Sequence, residues 1–349
     1  YKIMSNALTD YLSKFTEADW LAAVDELLPC VHDVDKDALQ IWFRFYPLDL
    51  KRYLDAAEDR AAAELGVALQ GKFGLEDKID SSHHFLYGHR YWKTVKAAIE
   101  AETVVFKEST PTLIEEIKAI GMAVAEKLHV ERQMINAMVI IGLATLNQVG
   151  VEAFKAAPGE VEQPKGIMAK SPNAVIAERA KDDSQGLFGF LKTVNKKYSV
   201  AWENAKSHGK FTIVNEQEIS SASSNDRSQN WQKQDERCWE GVVPVECVAA
   251  SCGTCWVGVL GGAEKLTEVS RRERRAMKVF GYNQPEGDHP FLRLACQAKA
   301  SGNATIVIPA WNAVFGKKVR GNVEDVELEP NTTSAKKLRE TLAAAVSAE

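Results

Sequence analysis

Apolar residues in the first half of the chain recur at helical spacing. Thr16-Glu17-Ala18-Asp19 has the form of a capping box and opens a run through Trp20, Leu21, Val24, Leu27 and Leu28. Over residues 35–45, Leu39, Trp42 and Phe43 share one face, and Pro47 ends the pattern. Residues 47–65 are charged on one side and rich in Ala and Leu on the other. Thr110 followed by Pro111 reads as an N-cap with proline at the first helical position, ahead of the stripe Leu113, Ile117 and Ile120. Residues 130–154 are apolar on most sides, which suits the central helix of a bundle.

The pattern changes after residue 157. Residues 157–172 combine Pro, Gly and charge and read as a loop. Helical stretches are predicted over 173–181 and 187–205. The first strand pattern is at 211–214, followed by a polar insertion over 220–234 whose one core-forming residue is Trp231. Short β-like runs then occupy 242–245, 256–260 and 304–308, with Gly261-Gly262 as a turn. Residues 334–348 read as an Ala-rich amphipathic helix. The predicted division is an all-helical domain over 1–207, a smaller domain over 208–330 and a helical tail over 331–349. The chain opens Tyr-Lys-Ile ahead of Met4. Two readings of that start stay open: Met4 as the natural first residue, or a true terminus further upstream.

Composition narrows the function classes. Hydrophobic residues make up 45% of the 349-residue chain, which excludes a disordered or low-complexity protein. The net charge of −5 offers no basic field, so no nucleic-acid partner is expected. Asn136, Asn147 and Gln148 interrupt the most apolar stretch, residues 134–149, and no transmembrane segment is expected. No secretory core is visible in the first thirty residues. The expected setting is a reducing cytoplasm, free or peripheral to a membrane complex. There, cysteines serve as thiols or metal ligands.

Five of the six cysteines fall in the C-terminal part, and three of them make one motif. Cys247-Val-Ala-Ala-Ser-Cys252-Gly-Thr-Cys255 has the spacing C-x4-C-x2-C, and Cys296 follows in Leu294-Ala-Cys296-Gln297. Three thiolates on one tight loop can wrap a cluster edge, and a distant thiolate can complete the set. Such a loop must be nearly free of bulky side chains, because its backbone N–H groups turn toward sulfur. Ala249, Ala250, Ser251, Gly253 and Thr254 meet that need. A four-cysteine zinc site is the alternative, although zinc ribbons pair two C-x2-C knuckles and one is present here. Cys238, nine residues before Cys247, reads as a spare thiol or an exchanged ligand. Cys30 reads as a buried or idle thiol.

On these residues, the region 211–330 resembles a plant-type [2Fe-2S] ferredoxin domain. The strand at 256–260 with Gly261-Gly262, the segment 266–273 as a short helix before the last ligand, and the closing strand at 304–309 extend the likeness. The resemblance implies a β-grasp fold, with Cys247, Cys252, Cys255 and Cys296 as ligands of one [2Fe-2S] cluster. It also implies low-potential, single-electron chemistry, near about −400 mV for the class. The fold class expected is therefore α+β, an all-α bundle followed by a β-grasp ferredoxin-like domain. Three departures stand out, one of them an expanded, polar stretch before Cys247 that points to a remodelled first hairpin. Ala250 occupies a position where the family commonly has glycine, so a left-handed backbone there would be strained. The forty residues between Cys255 and Cys296 exceed the usual spacing, which points to an enlarged loop at 279–289.

Two other constellations call for a reading. Residues 81–92 gather His83, His84 and His89 with four aromatics. They read as a loop leading into a helix, as a second metal or haem site, or as a polar docking or quinone-type pocket. Arg271, Arg272, Arg274 and Arg275 form a basic run, either a solvated helix face or a docking patch for an acidic partner. No nucleotide loop, flavin fingerprint or Ser/His/Asp arrangement is visible. The expected function is an electron carrier, docked by its helical domain to a redox partner or a multisubunit redox complex. The alternatives are a metal- or haem-dependent enzyme fed by its own ferredoxin domain, and a redox sensor or structural iron–sulfur subunit.

Overall fold

The computed structural model describes residues 6–107, 112–181, 196–282, 284, 287, 289–315 and 319. They form two compact units. One comprises the described residues up to Ala56 together with Gly74–Glu178, and the other comprises Ala57–Phe73 and the chain from Arg179 onward. The predicted tail over 331–349 lies outside the described residues.

The first unit is helical. It contains α1 (Ala7–Leu12), α2 (Glu17–Leu27), α3 (Asp33–Phe45) and α4 (Leu48–Asp55). The chain then gives α5 (Arg60–Gly66) and β1 (Gln70–Gly71) to the second unit. It resumes the first with α6 (Trp92–Val105), α7 (Leu113–Leu128), α8 (Gln133–Ala156) and most of α9 (Pro172–Ala180). Thr16 and Asp19 close a capping box at α2, as their spacing predicts, an arrangement that contributes about 1 kcal/mol. The cap of α7 is Thr112 with Glu115; Thr110 and Pro111 lie outside the described residues. Residues 47–65 carry two helices, α4 and most of α5.

Helix α8 is the core. Every residue of Met134–Leu146 is buried, and the helix breaks at Gly150, whose φ of 78° lies in the left-handed region. At 24 residues it is long and apolar enough to cross a membrane, and its bounds lie close to the central helix expected over 130–154. Its apolar side chains are used inside the unit: 72% of its most apolar window is buried.

The second unit is α+β. Its main sheet has five strands, β2 (Lys197–Glu203), β3 (His208–Val214), β5 (Trp256–Gly261), β6 (Leu292–Leu294) and β8 (Ala304–Val307), in the order β3-β2-β8-β5-β6. The central pair β2 and β8 is parallel and the other pairs are antiparallel. Short ladders join β4 (Gln217–Glu218) to β7 (Lys299–Ala300), and β1 to β9 (Trp311–Asn312). Helices α10 (Ile219–Ser223) and α11 (Arg271–Phe280) complete the unit.

Three expectations are corrected here. Residues 197–203 are a strand, not the end of a helix. Tyr198, Val200 and Trp202 alternate inward with period two, and all seven residues pair with β3. The second unit takes in Ala57–Phe73, and its C-terminal part begins at Arg179 rather than near residue 208. Residues 242–245 make no ladder; Val242 and Val243 are buried, and the Val243 N–H is taken by the Ser223 hydroxyl at 3.0 Å.

Candidate metal centre

Residues 247–255 run without regular structure into β5. Val248, Ala250 and Gly253 have φ values of 48°, 60° and 69°. Three left-handed residues so close together turn backbone N–H groups toward one side, as anion-binding loops do. The valine and alanine carry roughly 1–2 kcal/mol of strain each. At Ala250 this is the conformation that the missing glycine foretold. At Gly253 no side chain fits, because a Cβ would lie 1.8 Å from the Phe280 ring.

The donors meet sulfur. The N–H groups of Ala249 and Cys252 each reach Cys247 Sγ at 3.4 Å, and the Ser251 hydroxyl reaches it at 3.5 Å. The Thr254 hydroxyl donates to Cys252 Sγ at 3.2 Å. Gln297 Nε2 lies 3.5 Å from Cys296 Sγ and donates also to the carbonyls of Cys296 and Val248.

The loop and the strands bring the cysteines together two by two: the Cys252 N–H reaches Cys247 Sγ, and the pairing of β5 with β6 sets Cys255 beside Cys296. Strand pairing explains the second pair. Trp256 faces Leu294 across β5 and β6, and the Ala295 N–H bonds the Cys255 carbonyl at 3.0 Å. Within each pair one sulfur is the acid. The hydrogen bond from Cys252 is the largest influence on Cys247; with the Ser251 and amide donors it lowers that thiol well below the ordinary range, against the effect of burial. The same bond, together with burial, raises Cys252. The hydrogen bond from Cys255 lowers Cys296 and, with burial, raises Cys255.

Helix α11 anchors the fourth cysteine. Glu273 is fully buried, accepting from Arg293 Nε at 2.9 Å, Arg293 Nη2 at 3.1 Å and the Leu294 N–H at 2.7 Å. This ties the helix to β6, two residues before Cys296. The sequence reading missed it, because Glu273 sits inside the run Arg271, Arg272, Arg274, Arg275. The signal was present: Glu273, Ala276 and Phe280 fall at i, i+3 and i+7 and form the buried face. The four arginines are exposed.

Cys238 is buried, donates to the Val242 carbonyl at 3.1 Å and is pushed up to about 12, chiefly by burial. Cys30 is half-buried, and its carbonyl accepts from Asn136.

In the helical unit, His83 and His89 come together and His84 turns elsewhere. The Nδ1 atoms of His83 and His89 are 2.7 Å apart, and His83 Nε2 lies 3.2 Å from the Ile79 carbonyl. That carbonyl can only accept, so His83 carries its proton on Nε2 and its Nδ1 accepts from His89. His83 is fully buried, its ring centroid 4.3 Å from that of Trp92. Burial first, then the His89 charge, hold it well below the ordinary histidine range. Burial and His84 push His89 down to about 4. His84 pairs through Nδ1 with the Ser81 carbonyl at 3.0 Å.

Among the described residues, no three His, Cys, Asp or Glu side chains converge to hold a single metal ion. Comparison of the chain with family models, curated proteins and solved structures finds no match in any of the three.

Proposed function

We propose that this chain is a single-electron carrier, holding one [2Fe-2S] cluster on Cys247, Cys252, Cys255 and Cys296. In this reading the helical unit docks the carrier to a larger redox system. The observation that carries it is the two-by-two grouping of four thiols around a loop whose amides face sulfur. A two-iron cluster takes two thiolates on each iron. A structural zinc site instead draws all four onto one ion. The Cys252 N–H on Cys247 Sγ and the strand pairing that sets Cys255 beside Cys296 suit the first arrangement.

The sheet supports the β-grasp reading. Its first and last strands pair in parallel at the centre, with antiparallel pairs on either side and α11 in the connection from β5 to β6. When bound, the cluster supplies one-electron transfer at low potential. The chain's own residues would hold it and accommodate the added charge. Cys252 and Ala249 N–H groups and the Ser251 and Thr254 hydroxyls stabilise negative sulfur. Phe280, seated against Gly253, keeps water from that side of the loop. Val248, 63% exposed beside Cys247, leaves this part of the loop open to a partner. Arg271, Arg272, Arg274 and Arg275 present a basic face to an acidic one.

The test is metal and sulfide analysis of anaerobically purified protein, followed by reductive titration. About two irons and about two sulfides per chain, reduced reversibly by one electron, are expected. Stoichiometric zinc without sulfide would replace this reading with the structural one.

A further inference from the structure

The segment Ala57–Phe73 lies among helices in the sequence but packs in the second unit. Its strand β1 pairs with β9 so that Gln70 stands opposite Asn312 and Gly71 opposite Trp311. The fit is close. Gly71 has φ 81°, and a Cβ there would come within 2.8 Å of the Ala310 carbonyl. The Val314 N–H bonds the Val67 carbonyl at 2.7 Å, and Phe73 packs edge-on against Trp311 with ring centroids 4.7 Å apart.

From this ladder two side-chain amides reach the cysteine loop. Gln70 Nε2 donates to the Cys252 carbonyl at 3.2 Å, and Asn312 Nδ2 donates to the Thr254 carbonyl at 3.0 Å. The two acceptors flank Gly253, so cross-strand partners grip the loop on either side of its tightest residue. Asn312 is itself held, its Oδ1 accepting from the Tyr282 hydroxyl at 3.3 Å. Gln70 Oε1 has no hydrogen-bond partner among the described residues, so the donor end alone fixes that side chain. In a trans peptide the N–H points opposite to the carbonyl. Holding the carbonyls of Cys252 and Thr254 toward the ladder therefore aims the N–H groups of Gly253 and Cys255 away from it.

We infer that Gln70 and Asn312 form an amide clamp that sets the peptide orientation of Cys252–Cys255, and with it the potential and retention of the cluster. They are positioning residues, and the inference rests on the cluster reading given above. The experiment uses the full chain with Gln70→Met, which keeps length without a donor, the isosteric Gln70→Glu, and Gln70→Lys, which restores a donor. Midpoint potential, the electron paramagnetic resonance (EPR) line shape of the reduced protein and the rate of iron loss to a chelator are measured for each, with circular dichroism as a check on folding. In Gln70→Met and Gln70→Glu the potential falls, the line shape changes and iron is lost roughly five-fold faster, the size expected for one lost hydrogen bond. Gln70→Lys returns retention toward wild type. Wild-type potential and line shape in Gln70→Met and Gln70→Glu, or no difference between the Met and Lys variants, would overturn the clamp while leaving the cluster reading intact. Wild-type protein without iron and sulfide would overturn both.

Discussion

Residues 247–255 and residues 83–89 both concentrate side chains that ligate metals. In the loop, small neighbours and three left-handed residues leave the sulfurs facing amides, hydroxyls and each other. In the histidine run, His83 uses both ring nitrogens on the protein, on His89 and on the Ile79 carbonyl, and lies against Trp92. Coordination needs a lone pair that the fold leaves available. A thiol held by weak sulfur hydrogen bonds can give up its proton to a metal. A buried imidazole whose Nδ1 already accepts from its neighbour must first break that bond. The two regions therefore differ in the valence left over rather than in ligand count.

The largest expected effect breaks the first region alone. Cys252→Ser should abolish iron binding, while the helical signal of the other unit persists in circular dichroism. Unchanged iron content and spectrum would remove Cys252 from the ligand set. Next comes the anchor of Cys296. Glu273→Gln leaves Arg293 with an uncompensated buried charge, which costs about 3–5 kcal/mol. Thermal unfolding should show a large fall in midpoint, and iron should be lost faster to chelators. A variant as stable as wild type would mean that the pair is not holding α11 to β6.

The histidine pair predicts a pH dependence of its own. The folded protein resists protonating His83 and His89, whereas the unfolded chain takes up protons near the ordinary value of about 6.5. Stability is whole above that pH and is lost as the pH falls toward about 4. His89 contributes at most about 3 kcal/mol over this window. Near pH 5, His89→Asn should reduce the proton uptake on unfolding by about one. Equal slopes of stability against pH in the two proteins would place His89 in contact with solvent. The smallest effect concerns docking. Alanine at Arg271, Arg272, Arg274 and Arg275 should slow electron transfer to an acidic partner about tenfold at low salt and flatten the salt dependence. Identical rates and salt slopes would make the run a solvated helix face.

What was legible in the sequence follows from how local each signal is. The α2 capping box, the α7 stripe and the buried length of α8 announce themselves by spacing within one element. The cysteine spacing and the small residues between the thiols are equally local. Ala250 even carries the backbone conformation that its position implied. The strap 57–73 was not legible, because Arg60–Gly66 is a helix whichever unit it joins. Strand β2 was missed where Ser199, Ala201 and Glu203 dilute an alternation of three buried residues. Gln70 and Asn312 gave no signal at all. An amide acquires its role only from the carbonyl opposite it, and those carbonyls lie far away in the chain.

In the proposed site the four cysteines hold two irons as a pair rather than one ion alone. EPR of the anaerobically reduced protein tests this most directly. A rhombic, half-spin signal from one shared electron, absent in the oxidised protein and lost with Cys252→Ser, is the result predicted. A silent spectrum accompanied by bound zinc, or the high-spin ferric signal of a single iron before reduction, would contradict it.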